Sequence, residues 1–411
     1  MNILIALYTR HNTNSGFHAA SLARELAALG HDCVVAAPTG EANPGEDEPF
    51  RALTFPEVQA ARAEGRLFRN GQRIDVFHAW TPRTIVAQFH EAVKSFISGG
   101  TFVHLEDNED EVARAFLGDR VFAQARTGGG PDPFPPGLSH PLRSRTFLAA
   151  AKGVTVIVDA LTGMVPEGVP TCRIWPAADD RVFFPRPKPE ALRERLGIPP
   201  GTVVLVYTGN GHPANRSEIR SLYLAVHLLN RSGVSTRLVR TGQDYFPCPA
   251  GYREWADQYA VNLGFVQDRR ELGEMLALAD VCVQPGRPGP FNDLRFPSKL
   301  PEFFASGRPV VLPRTNIGLV VRHREEAYVL DDADGTAIAE AVRTIIGDPE
   351  LAGTLARGGR AFYEANLSWR RSAEALEAFY RNCLRREAAV TVAYPQEGLS
   401  APNPGVASAR G

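Results

Sequence analysis

The opening of the chain, residues 3–37, constrains the fold more than any other part. Residues 3–7 form an uninterrupted apolar run, as expected for a strand that is buried on both faces. Residues 17–29 carry apolar side chains at helical spacing, and residues 33–37 form a second apolar run. A strand, a helix and another strand in this order predict an α/β fold with a parallel sheet and right-handed crossovers.

The remainder of the chain continues this alternation and predicts two domains, because 411 residues exceed what one core ordinarily holds. A proline-rich stretch at 166–200 is expected to link them, and a second strand, polar loop and helix follow at 203–230. Two parallel sheets joined in this way bind ligands in a cleft beyond the carboxyl ends of their strands. The predicted units are a first domain at 1–180, completed by a helix at 363–386, a second domain at 181–362, and a disordered tail at 387–411.

Composition excludes several classes of protein. The formal net charge of −1 gives no basic excess for binding nucleic acid. The five cysteines lie far apart without a CxxC pair, and the histidines do not cluster at the spacing of metal ligands. No apolar run approaches the roughly 18 residues of a membrane-spanning helix, and the first run lacks the basic flank of a signal peptide. We therefore expect a cytoplasmic protein with reduced thiols.

The most informative segment is PSKLPEFFASGRPVVL, residues 297–312. Ser298 is predicted to cap a helix, and Pro301 is tolerated in its first turn. Lys299 and Glu302 are three residues apart and share a helical face. A helix N-terminus with a lysine favours an anion, and a neighbouring carboxylate can accept hydrogen bonds from sugar hydroxyls. The alternative is an ordinary amphipathic helix with both charges in solvent.

Taken together, several segments resemble glycosyltransferase family 4, the group 1 type. In the segment 297–312, the features shared with the family are the glutamate and the A-x-G-x-P-V turn that follows it. NLGFVQDRRELGEMLALADVCVQP at 262–285 resembles the stretch of the family that precedes this helix. PAADDRVFFP at 176–185 resembles the linker of the family, and WRRSAEALEAFYRNCL at 369–384 resembles its closing helix. The order and spacing of these segments extend the resemblance over nearly the whole chain.

The resemblance implies a GT-B fold, with two Rossmann-like domains facing a central cleft. It further implies a retaining enzyme that moves a sugar from a nucleotide-diphosphate sugar to a hydroxyl of a sugar, glycan or lipid-linked acceptor. No metal or other cofactor is expected, and peripheral contact with the inner face of a membrane is compatible with this activity. The donor-binding residues implied are Gly16, Gly209, Asn210, Gly264, Phe265, Val266, Asp293, Pro297, Ser298 and Glu302.

The catalytic candidates lie where the chain departs from the family pattern. The loop at 208–220 contains no lysine for the donor phosphates, so Arg216 is the preferred cation there, beside Lys299 of the later helix. The acids Glu106 and Asp107 follow a predicted strand and are expected to bind the acceptor hydroxyl. Leu294 stands where the family often has a second acid, eight residues before Glu302, which leaves open whether Asp293 replaces it.

Two alternatives to a transferase stay open: a nucleotide-sugar epimerase of the same fold, or a catalytically weak subunit that binds sugar nucleotides, which the missing acid at Leu294 would allow. The stretch at 118–140 contains GGG and several prolines. It is predicted to be a long mobile loop that shapes the acceptor site, although a disordered surface loop would have the same composition.

We further expect the two domains to move as rigid bodies about residues 180–186 and 363–368.

Overall fold

A computed structural model describes residues 1–40, 48–71 and 73–391, with side chains to residue 385. The first domain contains a seven-stranded sheet in which each strand pairs parallel to its neighbours. Its strands are β1 Asn2–Leu7, β2 Asp32–Ala37, β3 Arg51–Thr54, β4 Ile74–Trp80, β5 Ile97–Leu105, β6 Gly153–Val156 and β7 Thr171–Arg173, in the order β3-β2-β1-β4-β5-β6-β7. The helices between them are α1 Asn14–Ala28, α2 Phe55–Ala63, α3 Thr84–Val93, α4 Glu109–Leu117, α5 Asp119–Arg126 and α6 Arg143–Ala149.

A second sheet of six parallel strands follows. Its strands are β8 Val203–Tyr207, β9 Thr236–Arg240, β10 Ala260–Asn262, β11 Val281–Val283, β12 Val310–Pro313 and β13 Tyr328–Leu330, in the order β10-β9-β8-β11-β12-β13. Its helices are α7 Glu190–Arg195, α8 Arg216–Arg231, α9 Ala250–Tyr259, α10 Arg269–Ala277, α11 Leu300–Ala305, α12 Gly335–Gly347 and α13 Pro349–Asn366. The α/β fold with two parallel-sheet domains is as predicted, whereas the division at residues 180 and 362 stays a prediction.

Burial follows the sequence pattern. All six residues of β1 are buried, which agrees with its continuous apolar run. In α1 the buried side chains Ala19, Leu22 and Leu26 recur every three to four residues, so this helix covers the sheet with one face. Gly30 takes a positive φ of 90° just beyond α1, a conformation that suits glycine at the end of a helix.

The last helix, α14 Trp369–Thr391, returns from the second domain to the first. Its buried residues Ala373, Leu376 and Tyr380 belong to the same core cluster as Ile3 and Ile5 of β1. The Tyr380 hydroxyl and Nδ1 of His78 form a hydrogen bond of 2.6 Å, and burial lowers the pKa of this histidine. The predicted closing helix therefore completes the core of the first domain.

Several local predictions were wrong. Part of the supposed mobile loop at 118–140 is helix α5, in which Phe122 is buried, and Phe134 and Leu138 are buried because they form a small apolar cluster with Ala125. Residues 387–391 of the predicted tail are helical, and its remainder, 392–411, lies outside the described residues. Across the described ranges, no helix is both long and apolar enough to span a membrane.

Candidate active site

The two sheets meet at a cleft that contains a cavity of about 440 Å³. Tyr8 and Glu106 line it from the ends of β1 and β5 in the first domain, and Thr208 and Thr241 line it from the ends of β8 and β9 in the second. The carboxyl ends of both sheets therefore face this cavity, as expected for parallel α/β folds. Of the residues predicted for the site, the cavity is lined by Glu106, Asp107, Gly209, Asn210, Phe265, Val266, Pro297, Ser298, Lys299 and Glu302.

Lys299 lies at the centre of the second-domain wall. Its Nζ is 3.3 Å from Oε1 of Gln284 and 4.8 Å from the centre of the Tyr207 ring. Gly209 has a positive φ of 130°, which favours glycine, and a Cβ there would lie in tight contact, 3.1 Å, with Cε of Lys299. Burial, together with the charge of Arg295, lowers the pKa of Lys299 to about 8. The ammonium group of Lys299 therefore lies at the cleft with few negatively charged groups close enough to neutralise it.

Glu302 is buried in α11, three residues after Lys299. Its Oε1 accepts a hydrogen bond of 2.8 Å from Nη2 of Arg269. Burial raises the pKa of Glu302, while Arg269 and Lys299 act against this rise. The helix begins without the predicted cap: the Ser298 hydroxyl instead accepts a hydrogen bond of 3.1 Å from Nδ2 of Asn14 in the first domain.

The second cation of this wall is Arg295 and not Arg216. Arg295 lines the cavity and forms an ion pair of 2.9 Å with the buried Glu218. Arg216 is exposed and does not line the cavity, because Asn215 and Glu218 take the inward positions of this turn of α8. Sequence reasoning missed Arg295 because it sought the cation after β8, although this arginine lies only two residues before the PSK motif.

The loop before α11 contains Asp293 and Leu294, the two positions considered for a second acid. Asp293 accepts a hydrogen bond of 2.9 Å from the backbone N–H of Gly289 and does not line the cavity. Leu294 is half-buried and packs against the main core cluster. In this structure neither position presents a carboxylate to the cleft.

Two predicted glycines support the site without lining it. A Cβ on Gly16 would lie 2.0 Å from the carbonyl oxygen of His11, so the start of α1 can approach this loop only with glycine. Gly264 has a positive φ of 64°, and its carbonyl accepts a hydrogen bond of 2.6 Å from Gly242. The next residue, Phe265, is 67% exposed and presents its ring to the cavity.

Glu106 anchors the first-domain wall. Its carboxylate accepts hydrogen bonds of 2.6 Å from Ser15 and 2.7 Å from Nε1 of Trp80, and it lies 3.7 Å from Nδ1 of His18. Burial alone would raise the pKa of Glu106, but the neighbouring His18 and His104 and the hydrogen bond from Ser15 lower it to about 2. This carboxylate is therefore ionised and already fully engaged.

Asp107 differs from its neighbour. It lines the cavity, and none of the hydrogen bonds or ion pairs among the described residues involves its carboxylate. Burial and the negative charges of Glu106 and Glu109 raise the pKa of Asp107 to about 6, against the opposing charges of Arg83 and Arg295. Of the two acids, Asp107 is the one free to bind a ligand.

A strained turn lies behind these acids. Thr81 follows β4 and has a positive φ of 79°, an unfavourable conformation for a β-branched residue. It is fully buried, and its hydroxyl has no hydrogen-bond partner among the described residues. The turn separates Trp80, which binds Glu106, from Arg83, which forms an ion pair of 3.0 Å with Glu109. Strain of this kind often occurs at functional sites.

None of the described residues form a group of three or more His, Cys, Asp or Glu side chains suited to a metal ion. Metal independence stays a prediction.

Solved structures with low sequence identity share the fold. Sucrose-phosphate synthase from Thermosynechococcus elongatus superimposes with a TM-score of 0.68 at 17% identity, over 94% of this chain and 100% of that structure. WaaG, described as a glycosyltransferase involved in lipopolysaccharide biosynthesis, superimposes with a TM-score of 0.60 at 14% identity. The superposition covers 90% of this chain and 98% of that structure. Anabaena Alr3699/HepE in complex with UDP-glucose superimposes with a TM-score of 0.63 at 12% identity. The superposition covers 95% of this chain and 100% of that structure.

Sequence comparison relates the second domain to a known family. Residues 202–348 match the family model described as "Glycosyl transferases group 1". This match, together with the GT-B fold shared with the solved structures, confirms the predicted resemblance to group 1 glycosyltransferases and the predicted fold. A GDP-mannose-dependent alpha-(1-6)-phosphatidylinositol dimannoside mannosyltransferase of Mycobacterium tuberculosis is 30% identical over 173 residues, 42% of each chain. A D-inositol 3-phosphate glycosyltransferase of Saccharomonospora viridis is 27% identical over 231 residues, 53% of this chain and 51% of that one. The matches thus span about half the length of these curated relatives.

Proposed function

We propose that the protein is a retaining glycosyltransferase that moves a sugar from a nucleotide-diphosphate sugar to an acceptor hydroxyl. The observation that carries this proposal is the pairing of Lys299 and Glu302 on one wall of the cleft with a free carboxylate, Asp107, on the other. A cation suits a departing diphosphate, a carboxylate suits the hydroxyls of a ribose, and a second carboxylate suits an acceptor hydroxyl.

The donor is assigned to the second domain. Lys299 and Arg295 provide positive charge where the bond between the sugar carbon and the diphosphate oxygen breaks and leaves its electron pair on that oxygen. Glu302 accepts hydrogen bonds from the ribose, and the exposed ring of Phe265 offers a surface on which a base can stack. A relative described as GDP-mannose-dependent and a structure of similar fold in complex with UDP-glucose support a nucleotide sugar as donor.

The acceptor is assigned to the first domain. Its hydroxyl oxygen forms the new bond to the sugar carbon on the face that the diphosphate leaves, which retains the anomeric configuration. Its proton passes to the departing phosphate oxygen or to Asp107, whose carboxylate is free to accept a hydrogen bond. Glu106 is occupied by Ser15 and Trp80, so its role is to fix the shape of this wall.

The acceptor class is a sugar, a glycan or a lipid-linked polyol, for use in the synthesis of a polysaccharide or glycolipid. Relatives whose names include phosphatidylinositol dimannoside and inositol 3-phosphate support an acceptor rich in hydroxyl groups. With a lipid-linked acceptor, the protein would work from the cytoplasm at the inner face of a membrane. We expect turnover without a metal, which a chelator added to the assay tests.

A panel of nucleotide sugars, offered with and without hydroxyl acceptors, tests this function. The expected result is acceptor-dependent release of a nucleoside diphosphate, with a product whose anomeric configuration by NMR matches that of the donor. Conversion of the donor into an isomer without acceptor would instead identify an epimerase. Binding of a nucleotide sugar without turnover in any combination would identify a binding subunit, and an inverted anomer would contradict retention.

A further inference from the structure

Arg269 lies on a wall between two cavities. It is the first residue of α10 and, with Ser298 and Glu302, lines both the cleft cavity and a second cavity of about 280 Å³ beside α1. Its guanidinium forms the ion pair with Oε1 of Glu302 described above. No hydrogen bond among the described residues involves the other oxygen, Oε2. Arg269 therefore holds the carboxylate by one oxygen and leaves the other for a ligand.

The guanidinium is itself held by two aromatic rings. Its central carbon lies 5.1 Å from the ring centre of Phe17 and 5.1 Å from that of Phe183. Both distances are within the range of a cation–π interaction. Phe17 belongs to α1 of the first domain, whereas Phe183 lies in the segment between the domains. Arg269 thus joins the first domain, the linking segment and the carboxylate of the donor wall.

We propose that Arg269 is a positioning residue that orients Glu302 toward the ribose hydroxyls of the donor, and that Phe17 of the first domain holds Arg269 in place. This inference rests on the proposed function and deepens it, because it ties recognition of the ribose to contact between the two domains. A carboxylate fixed by a guanidinium on one oxygen presents the second oxygen in a defined direction. A site built in this way rejects a sugar that lacks the matching hydroxyl, since a buried acceptor is then left unpaired.

The experiment compares UDP and GDP with their 2′-deoxy and 2′,3′-dideoxy forms by calorimetric titration. For the wild type we expect the ribonucleotide to bind roughly ten- to a hundredfold more tightly than its dideoxy form, the range of a hydrogen bond to a charged group. In Arg269→Ala the ribonucleotide should weaken to about the level of the dideoxy form, whose own affinity stays unchanged. Guanidinium ion added to this variant should restore part of the discrimination.

Two matched controls separate positioning from general damage. Arg270→Ala removes an adjacent, exposed arginine of the same charge and should keep the discrimination of the wild type. Phe17→Leu should reduce discrimination severalfold, whereas Phe184→Leu should not: Phe184 is 41% exposed against 40% for Phe17, but its ring faces Arg186. Circular dichroism and thermal unfolding verify that each variant is folded.

The outcomes distinguish this inference from the proposed function. If the wild type binds and discriminates but Arg269→Ala discriminates equally well, the role of Arg269 is refuted and the proposed function stands. If Arg269→Ala does not fold, Arg269→Lys takes its place, because lysine keeps the charge but loses the forked geometry, and undiminished discrimination refutes the inference. If the wild type binds no nucleoside diphosphate, the proposed function fails and the inference with it.

Discussion

The two walls of the cleft have the same architecture but opposite charge. On the first-domain wall, Glu106 and Asp107 follow β5, and the carboxylates outnumber the cations that face them. On the second-domain wall, Lys299, Arg295 and Arg269 outnumber Glu302. Both walls are made by the carboxyl ends of parallel strands, so the difference comes from the loops alone. The fold therefore forms the cleft, and a few loop residues determine what each wall can bind. The cationic wall of the second domain suits an anion, and the acidic wall of the first domain suits a nucleophilic hydroxyl.

The largest effect that this comparison predicts is on turnover. Lys299→Ala should lower kcat by about a hundredfold, by analogy with the loss of one donor to a developing negative charge. Arg216→Ala is the matched control and should leave kcat unchanged, because this arginine is exposed and does not line the cleft. Steady-state kinetics of nucleoside diphosphate release measure both. A comparable loss in Arg216→Ala would place the phosphates at the loop after β8 instead.

The next effect concerns binding. Glu302→Ala should weaken the affinity for a nucleoside diphosphate by roughly 1.5–3 kcal/mol, the range for hydrogen bonds to a charged group, and should lower kcat less than Lys299→Ala does. Calorimetric titration of UDP and GDP, with turnover measured in parallel, separates the two roles. Nucleotide affinity equal to that of the wild type would show that α11 is not the ribose site.

A smaller effect is expected from the acid on the opposite wall. Asp107→Asn should lower kcat/KM for the acceptor roughly tenfold near neutral pH and leave nucleotide affinity unchanged. Because the pKa of Asp107 is raised to about 6, its carboxylate is ionised above this pH and protonated below it. Because the pKa of Lys299 is lowered to about 8, its positive charge is lost above that pH. The pH profile of kcat/KM should therefore be bell-shaped between these values.

Variants test each limb of this profile. Asp107→Asn should abolish the acidic limb, and Lys299→Arg should move the alkaline limb upward, because arginine stays charged. Glu106 has a pKa of about 2 and contributes no titration in this window. An acidic limb that persists in Asp107→Asn would contradict the assignment of the acceptor to this carboxylate.

The smallest effect is a change of shape. The domains already touch, since Asn14 donates to Ser298 and Phe17 contacts Arg269 across the cleft. Saturating nucleoside diphosphate should therefore produce only slight compaction, by rotation about residues 180–186 and 363–368. Small-angle scattering with and without nucleotide measures it, with adenosine as a control that lacks the diphosphate. An identical profile in both states would argue against domain closure.

Much of the fold is predictable from local sequence, and the exceptions have physical causes. Strands that are buried along most of their length, such as β1 and β8, are evident as apolar runs. The edge strand β3 is not, because only Ala52 of its four residues is buried. Helix α13 is not evident either, because its glycines oppose helix formation. Tertiary packing requires glycine at position 358, since a Cβ on Gly358 would lie 2.0 Å from the carbonyl oxygen of Glu325.

The site was predictable where it depends on a contiguous motif. Lys299, Glu302 and Phe265 line the cleft as the resemblance implied. Contacts between distant parts of the chain were not predictable, and they decided the remaining assignments. Ser298 was expected to cap α11 but pairs with Asn14, which is 284 residues away in the sequence. Arg269 likewise acquires its surroundings only when Phe17 of the first domain packs beside it.

The returning helix α14 has a consequence for how the protein is made. His78 and Tyr380, which pair in the finished core, are 302 residues apart. At the roughly 5–20 residues per second of translation, on the order of 15–60 s separate their emergence from the ribosome. Throughout this interval the nascent sheet of the first domain lacks the apolar cover that Ala373 and Leu376 later provide. The domain that is synthesised first is therefore completed last. Premature termination before α14 would leave a fragment with exposed apolar surface, which is prone to aggregation and degradation.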